Sequence, residues 1–510
     1  MSAAIFDSPV SELTAPVERA RRVLLIAYNF PPVGGAGVQR PAKWAKYLRR
    51  FGWDVTVLTT ENPSVPVRDE SLLADLPEDV RIVRARTWEP DYRIKQSLVG
   101  AETERPSLLR RMKSAAKGVA RRCVKLTLQP DPQVLWNPNA RRAGAAVLRE
   151  QPHDAILVTA PAYSSFFVGA ALKRQFGLPL ILDYRDEWDL SGKYLENAQR
   201  DWFSRTVQDR MQRRLLRQAD AVVATTKAST TNLANKLAAL RHSVPAVCIY
   251  NGFDAEDFGE RLMVEGRNLA PLAPLGRGAG GEGQPLPSAK LQSPLTPNPS
   301  PQRGERNKMA ESSPQPLTSF RLVYTGTLWN LTDIEPLVKA IELLSASQPE
   351  LARKLELVCV GRKTPEQQQV LDRVRATTAR LEAVDYCDHS QVLDRLHSAD
   401  GVCLLLSDVP GAERVVPAKL FEYLAIRKEM LTIAPHGETA DIANRFFPQG
   451  HFVPSDHSGI AAWLENRLSV VGHSQHKRQP IQGIDEFSRE SQTARLAELL
   501  NALCNQRSER

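Results

Sequence analysis

The chain has 510 residues, several times the roughly 100–200 of a single-core unit, which excludes a lone small binding module and predicts at least two domains. Its 42% hydrophobic and 25% charged residues are those of an ordinary globular protein and exclude fibrous, disordered and multi-span membrane classes. The formal charge of +9 is concentrated between Arg105 and Lys125, where eight basic residues occur without an acidic one.

Apolar runs such as Val23 to Ala27 and Val402 to Leu406 are far shorter than the roughly 20 residues that cross a bilayer, and no signal segment is recognised at the start. We expect a cytoplasmic protein. The six cysteines are scattered without a Cys-x-x-Cys pair and are expected to be buried thiols. The histidines show no His-x-x-x-His spacing, so no metal site is expected.

Residues 1–20 have no periodic pattern and are expected to be a mobile tail. A first α/β domain is expected over residues 21–258. It opens with a strand at Val23 to Tyr28, a Pro/Gly loop, a helix at Pro41 to Arg50 and a strand at Val55 to Thr60. Short strands follow at Ala155 to Thr159, Leu180 to Tyr184, Ala221 to Thr225 and Ala246 to Tyr250, with helical stretches such as Ser204 to Gln218 between them. This alternation predicts a parallel sheet with helices on both faces.

Residues 259–318 are expected to be a linker. From about Asn268 to Thr318 it becomes a Pro/Gly/Ser/Gln-rich insertion that lacks the apolar pattern needed to order itself. Alternation resumes over residues 319–487 with strands at Arg321 to Tyr324, Leu355 to Val360, Val402 to Leu406 and Met430 to Ile433. A final helix, Ser488 to Leu503 within residues 488–510, is long enough to pack back on the first domain.

Three segments carry candidate chemistry. The loop Asn29 to Val38 contains Gly34, Gly35 and Gly37 ahead of a helix, so its backbone can approach a diphosphate closely. It is alternatively a tight turn without a ligand, and Gly35-Ala36-Gly37 does not continue into the dinucleotide fingerprint. In Val415 to Ala425, with Pro417 expected in the first helical turn, Lys419 and Glu422 share one face while Leu420, Phe421 and Leu424 cover the core. That face suits phosphate oxygens and ribose hydroxyls, or holds a plain surface ion pair. Asp183, Arg185, Asp186 and Glu187 follow the end of a strand, where ligands of open parallel sheets gather, or form a loop-stabilising ion pair.

In order, YNFPPVGGAGVQRPAKWAKYLRRFGWDVTVLT, YNGFDAEDF, YTGTL and VVPAKLFEYLA resemble the GT-B glycosyltransferases of family 4, particularly the bacterial members that build surface polysaccharides. The resemblance implies an α/β chain of two Rossmann-like domains facing across a cleft, with a nucleotide diphosphate sugar held mainly by the second. It implies that Glu422 holds the ribose, that Gly34, Gly35 and Gly37 approach the diphosphate and sugar, and that the sugar is transferred with retention and without a cofactor. The family often has two glutamates with seven residues between them. Here Arg414 is in register with Glu422, and Glu413 lies one residue early as the candidate for the donor sugar. Gly326 is followed by Thr327 and Leu328 where the family often has Arg and Lys, which leaves Lys419 and Arg362 for the phosphates. Glu187 stands where a related RDPW-like segment has proline, and Asp186 is the acceptor-side candidate.

The basic segment 105–128 spaces its apolar residues near helical intervals. It is either an amphipathic helix on an anionic membrane surface, peripheral to the inner face, or a solvated helix on the first domain. The run lacks interleaved aromatics, so no nucleic acid is expected. The expected acceptor is a glycan or a lipid-linked glycan. Rival readings are a nucleotide-sugar epimerase of the same fold and a non-catalytic nucleotide-binding scaffold.

Overall fold

A computed structural model of the chain describes residues 20–65, 68–90, 128–190, 202–258, 319–471 and 482–508. The tail as far as residue 19, the basic segment 105–127 and the linker with its insertion at 259–318 lie outside the described residues. The described parts of both sheets fall in one compact unit.

Strand β1 (Arg21–Ala27) shows why the first half builds a buried sheet. Val23, Leu25 and Ala27 enter one apolar cluster, and Leu24 and Ile26 enter another, as expected when alternate residues point to opposite covered faces. β1 pairs in parallel with β2 (Trp53–Thr60) on one side and with β4 (Ala155–Ala160) on the other. With β3 (Arg81–Ala85), β5 (Leu180–Tyr184), β6 (Ala221–Ala224) and β7 (Ala246–Cys248), the sheet runs β3-β2-β1-β4-β5-β6-β7. The second sheet joins β8 (Phe320–Thr325), β9 (Leu355–Val360), β10 (Arg380–Val384), β11 (Gly401–Leu405), β12 (Glu429–Ile433) and β13 (His451–Phe452) in the order β10-β9-β8-β11-β12-β13.

All of these strands are parallel, and the order in which they are added to the sheet reverses between β1 and β4 and again between β8 and β11. Such switch points open crevices at the carboxyl ends of strands. The Gly-rich loop follows β1, and Gly326 follows β8, so both lie at these positions.

The last helix, Arg489–Ser508, belongs to neither sheet in sequence but covers the first. Leu496, Leu500 and Leu503 share a cluster with Val23, Val57 and Ile181.

Three local expectations are corrected. The first helix spans Ala36–Tyr47 and begins before Pro41, which lies inside it. Pro41 has no N–H, so the Gly37 carbonyl one turn back receives no helical bond from it. The last strand of the first sheet ends at Cys248; the Ile249 N–H still donates to the Ala224 carbonyl at 2.9 Å, and the carbonyls of Ile249 and Tyr250 accept from Arg40. The helix carrying Lys419 starts at Lys419 itself, leaving Pro417 ahead of its first turn.

Candidate active site

Helix Lys419–Ile426 buries Leu420, Phe421, Tyr423 and Leu424. Its other face carries Lys419 and Glu422. The Lys419 Nζ donates to Tyr324 Oη at 2.9 Å and lies 4.2 Å from the centre of that ring. It rests against Gly326, where a methyl group would come within 2.3 Å of Nζ. Gly326 has φ +120°, which glycine adopts without steric cost. Burial pushes the Lys419 ammonium down to about 8, against the opposing influence of Glu422. Glu422 is half-buried, and among the described residues no group donates a hydrogen bond to its carboxylate.

Arg362 is exposed, and its carbonyl accepts from the Leu328 N–H at 2.8 Å, which bonds it into the turn after β8. The structure therefore gathers Lys419, Glu422, Gly326 and the Arg362 backbone around the ends of β8 and β9. Two residues remote in sequence also face Glu422 electrostatically. One is His389, 3.3 Å from the Asp257 carboxylate. Burial alone would lower its pKa, but Asp257 and Glu422 raise it. The other is Arg489, pushed down to about 10 by burial and by neighbouring Arg40. No spacing in the chain announces either one.

Across the gap, Gly35 is exposed with φ +99°, Gly34 is half-buried, and Gly37 lies in the first turn of its helix. A methyl on Gly37 would fall 2.3 Å from Arg185 Nη1, so this glycine makes room for the guanidinium. Arg185 Nη2 donates to Asp186 Oδ2 at 2.9 Å. Gly37, Arg185 and Asp186 thus form one group. Tyr386, from the loop after β10, lies against the Gly35 backbone.

Asp183 does not face this gap. As part of β5 it is fully buried, accepting from Arg40 Nη2 at 2.8 Å, Arg40 Nε at 3.1 Å and Thr159 Oγ1 at 2.7 Å. Asp75, Asp254 and Asp257 cluster nearby, with Lys43 already among them at 2.5 Å from Asp75 and 3.0 Å from Asp257. Burial would raise Asp254, but Lys43, Tyr47 and Lys46 hold it down at about 2.

A cavity of about 230 Å³ lies between the carboxyl ends of β5 and β6 and the loops after β8 and β11. Asp186 lines it, as do Arg185, Glu187 and Arg414. The two departures noted in the sequence meet here. Arg414 Nη1 donates to the buried Glu187 carboxylate at 2.5 Å, and Glu187 also accepts from Ser229 at 2.8 Å and from Asn232. Burial raises the Glu187 pKa while Arg414 opposes the rise. Glu413 does not line the cavity: it is exposed, its carboxylate accepts from the Gly411 N–H at 3.0 Å, and it lies 3.8 Å from Arg414 Nε. The wall at this turn is therefore Arg414. A second tie across the gap comes from Glu438, which accepts from the N–H groups of Lys227 at 2.8 Å and Ala228 at 3.0 Å, capping helix Lys227–Ala239.

Comparison with known proteins agrees with this architecture. Residues 34–236 match the model of the glycosyl transferase 4-like domain family. No curated protein matches the chain. Among solved structures, sucrose-phosphate synthase from Thermosynechococcus elongatus is 16% identical with a TM-score of 0.51, over 95% of this chain and 99% of that one. Anabaena HepE in complex with UDP-glucose is 14% identical with a TM-score of 0.51, over 94% and 99% of the two chains. An α,α-trehalose 6-phosphate synthase from Burkholderia multivorans is 11% identical with a TM-score of 0.50, over 96% and 98%. The chain thus shares with these structures a fold of two parallel-sheet α/β domains, and its residues 34–236 carry a glycosyl transferase 4-like domain.

Proposed function

We propose that the protein transfers a sugar, with retention, from a nucleoside diphosphate sugar to a glycan or lipid-linked acceptor in the synthesis of a surface polysaccharide. The carrying observation is the pair on helix Lys419–Ile426: a half-buried Glu422 carboxylate to which no described residue donates a hydrogen bond, one turn from the half-buried Lys419 ammonium. A free carboxylate accepts from ribose hydroxyls, and a cation with a helix N-terminus stabilises phosphate oxygens.

In this reading the bond between the sugar's anomeric carbon and the diphosphate breaks, while an acceptor hydroxyl oxygen bonds to that carbon and gives up its proton to the leaving diphosphate. Negative charge grows on the diphosphate as it departs. Lys419 meets that charge, with Arg362 at the rim. Gly34, Gly35 and Gly37 would let the opposite backbone close on the diphosphate and sugar, and Asp186, which lines the cavity, would face the acceptor. Support comes from the glycosyl transferase 4-like segment, from the fold, and from the UDP-glucose held by the Anabaena protein of like fold. The basic segment 105–128 would bring the cleft to an anionic membrane surface carrying a lipid-linked acceptor.

Incubation with a panel of nucleotide sugars, with nucleotide release and sugar products measured, tests the reading. Sugar transfer is expected. An isomerised donor would instead indicate an epimerase, and binding without product a scaffold. Glu422→Ala should weaken donor binding about tenfold or more while the protein stays folded. Unchanged donor affinity in that variant would remove the ribose role.

A further inference from the structure

We propose that Arg414 selects the transferred sugar, favouring one with an acylamino substituent over an unsubstituted hexose. This rests on the glycosyltransferase reading and adds the class of donor.

The cavity beside Arg414 is about 230 Å³, smaller than the roughly 300–1000 Å³ of common small-molecule sites, and suits one sugar unit. Much of its polar lining is already engaged. Thr225 donates to the Arg185 carbonyl, Thr226 to the Arg414 carbonyl and Thr332 to the Thr327 carbonyl. Both oxygens of Glu187 are occupied by Arg414, Ser229 and Asn232.

Among the described residues, Arg414 retains donors without a partner. Its Nη1 is held by Glu187, while Nε is 3.8 Å from Glu413, beyond hydrogen-bond reach. A guanidinium only donates, so what it meets in the cavity must accept. Glu187 and Glu413 already stand against its single positive charge, so a further carboxylate would be repelled and a neutral acceptor is favoured.

The adjoining wall is aliphatic, made by Leu190, Leu406, Ala412 and Val415. An acylamino group satisfies both surfaces: its carbonyl accepts from Arg414 and its methyl covers aliphatic carbon. A hydroxyl in the same place would turn a polar group onto that wall. The side chain is also well placed for selection, because the Arg414 carbonyl is fixed by Thr226 at 3.1 Å.

The test is calorimetric titration of the full-length protein with uridine diphosphate N-acetylglucosamine against uridine diphosphate glucose, and with the corresponding galactose pair. The wild type should bind the acetamido member at least about tenfold more tightly. Arg414→Gln leaves Glu187 buried without its cation, so the double variant Glu187→Gln with Arg414→Gln is measured beside it, its fold checked by circular dichroism. In the double variant the preference should shrink to below about threefold, with free uridine diphosphate binding as in the wild type. A preference kept by the double variant, or equal binding of both sugars by the wild type, would overturn the selection role. Transfer of plain hexose in that case would leave the glycosyltransferase reading intact, whereas failure to bind these four donors and the matching sugar pairs on the other nucleoside diphosphates would overturn both.

Discussion

The Lys419 ammonium donates to the Tyr324 hydroxyl and lies over the same ring, so a cation is held beside the gap by a neutral partner. Tyr324 has no charge to cancel it, and burial lowers the lysine to about 8 from its ordinary 10.5. Lys419 is therefore charged below that value and loses its proton as pH rises through it. A diphosphate gains from the charged form only. Donor kcat/KM should fall as pH rises through about 8, and Lys419→Arg should move that decline to higher pH. A flat profile from pH 7 to 9.5 would rule out the lysine as the phosphate cation.

Gly326→Ala should be costly for two separate reasons. Its φ of +120° is strained for alanine, and the new methyl would meet Lys419 Nζ at 2.3 Å. We expect a stability loss of about 2 kcal/mol together with weaker donor binding, because the lysine must move. Denaturant unfolding and donor titration read the two effects. Unchanged donor affinity would mean that the lysine has no role there.

Arg40 ties the first helix to β5 and to the residues after β7, through Asp183 and the carbonyls of Ile249 and Tyr250. Both partners of the pair are almost wholly buried. Arg40→Ala strands the Asp183 carboxylate and should cost about 3–5 kcal/mol, measured by urea unfolding. A loss below about 1 kcal/mol would show that water or another group replaces the guanidinium.

The membrane proposal makes its own prediction. Vesicles rich in phosphatidylserine should carry the protein upward in flotation, and neutral vesicles should not. Replacing Arg110, Arg111, Lys113 and Lys117 with glutamine should lower binding at least about tenfold, since each basic residue near an anionic surface contributes about 1 kcal/mol. Equal flotation of both forms would count against a membrane role for the segment.

Much of the scaffold was legible in the chain itself. The strands at Leu180–Tyr184 and Leu355–Val360 agree residue for residue with the structure, because a largely buried parallel strand is mostly apolar, and Asp183 and Glu356 only interrupt that run. Strands Arg81–Ala85 and Arg380–Val384 were not legible. Both lie at sheet edges, where partial exposure admits arginine and glutamate and dilutes the apolar signal. The spacing of Lys419 and Glu422 on one face was likewise readable, since helix geometry places residues three apart together.

Local order along the chain thus determined the two α/β halves, their glycine turns and the cation and carboxylate of one short helix. Those depend on neighbours within a few residues. Tertiary structure alone decided that Asp183 is buried under Arg40 while Asp186 lines the cavity. It also decided that Arg414 reaches Glu187, and that His389 and Arg489 come to face Glu422. Such pairings join segments far apart in sequence, and only the packing of the sheets and the return of the last helix sets which charges meet.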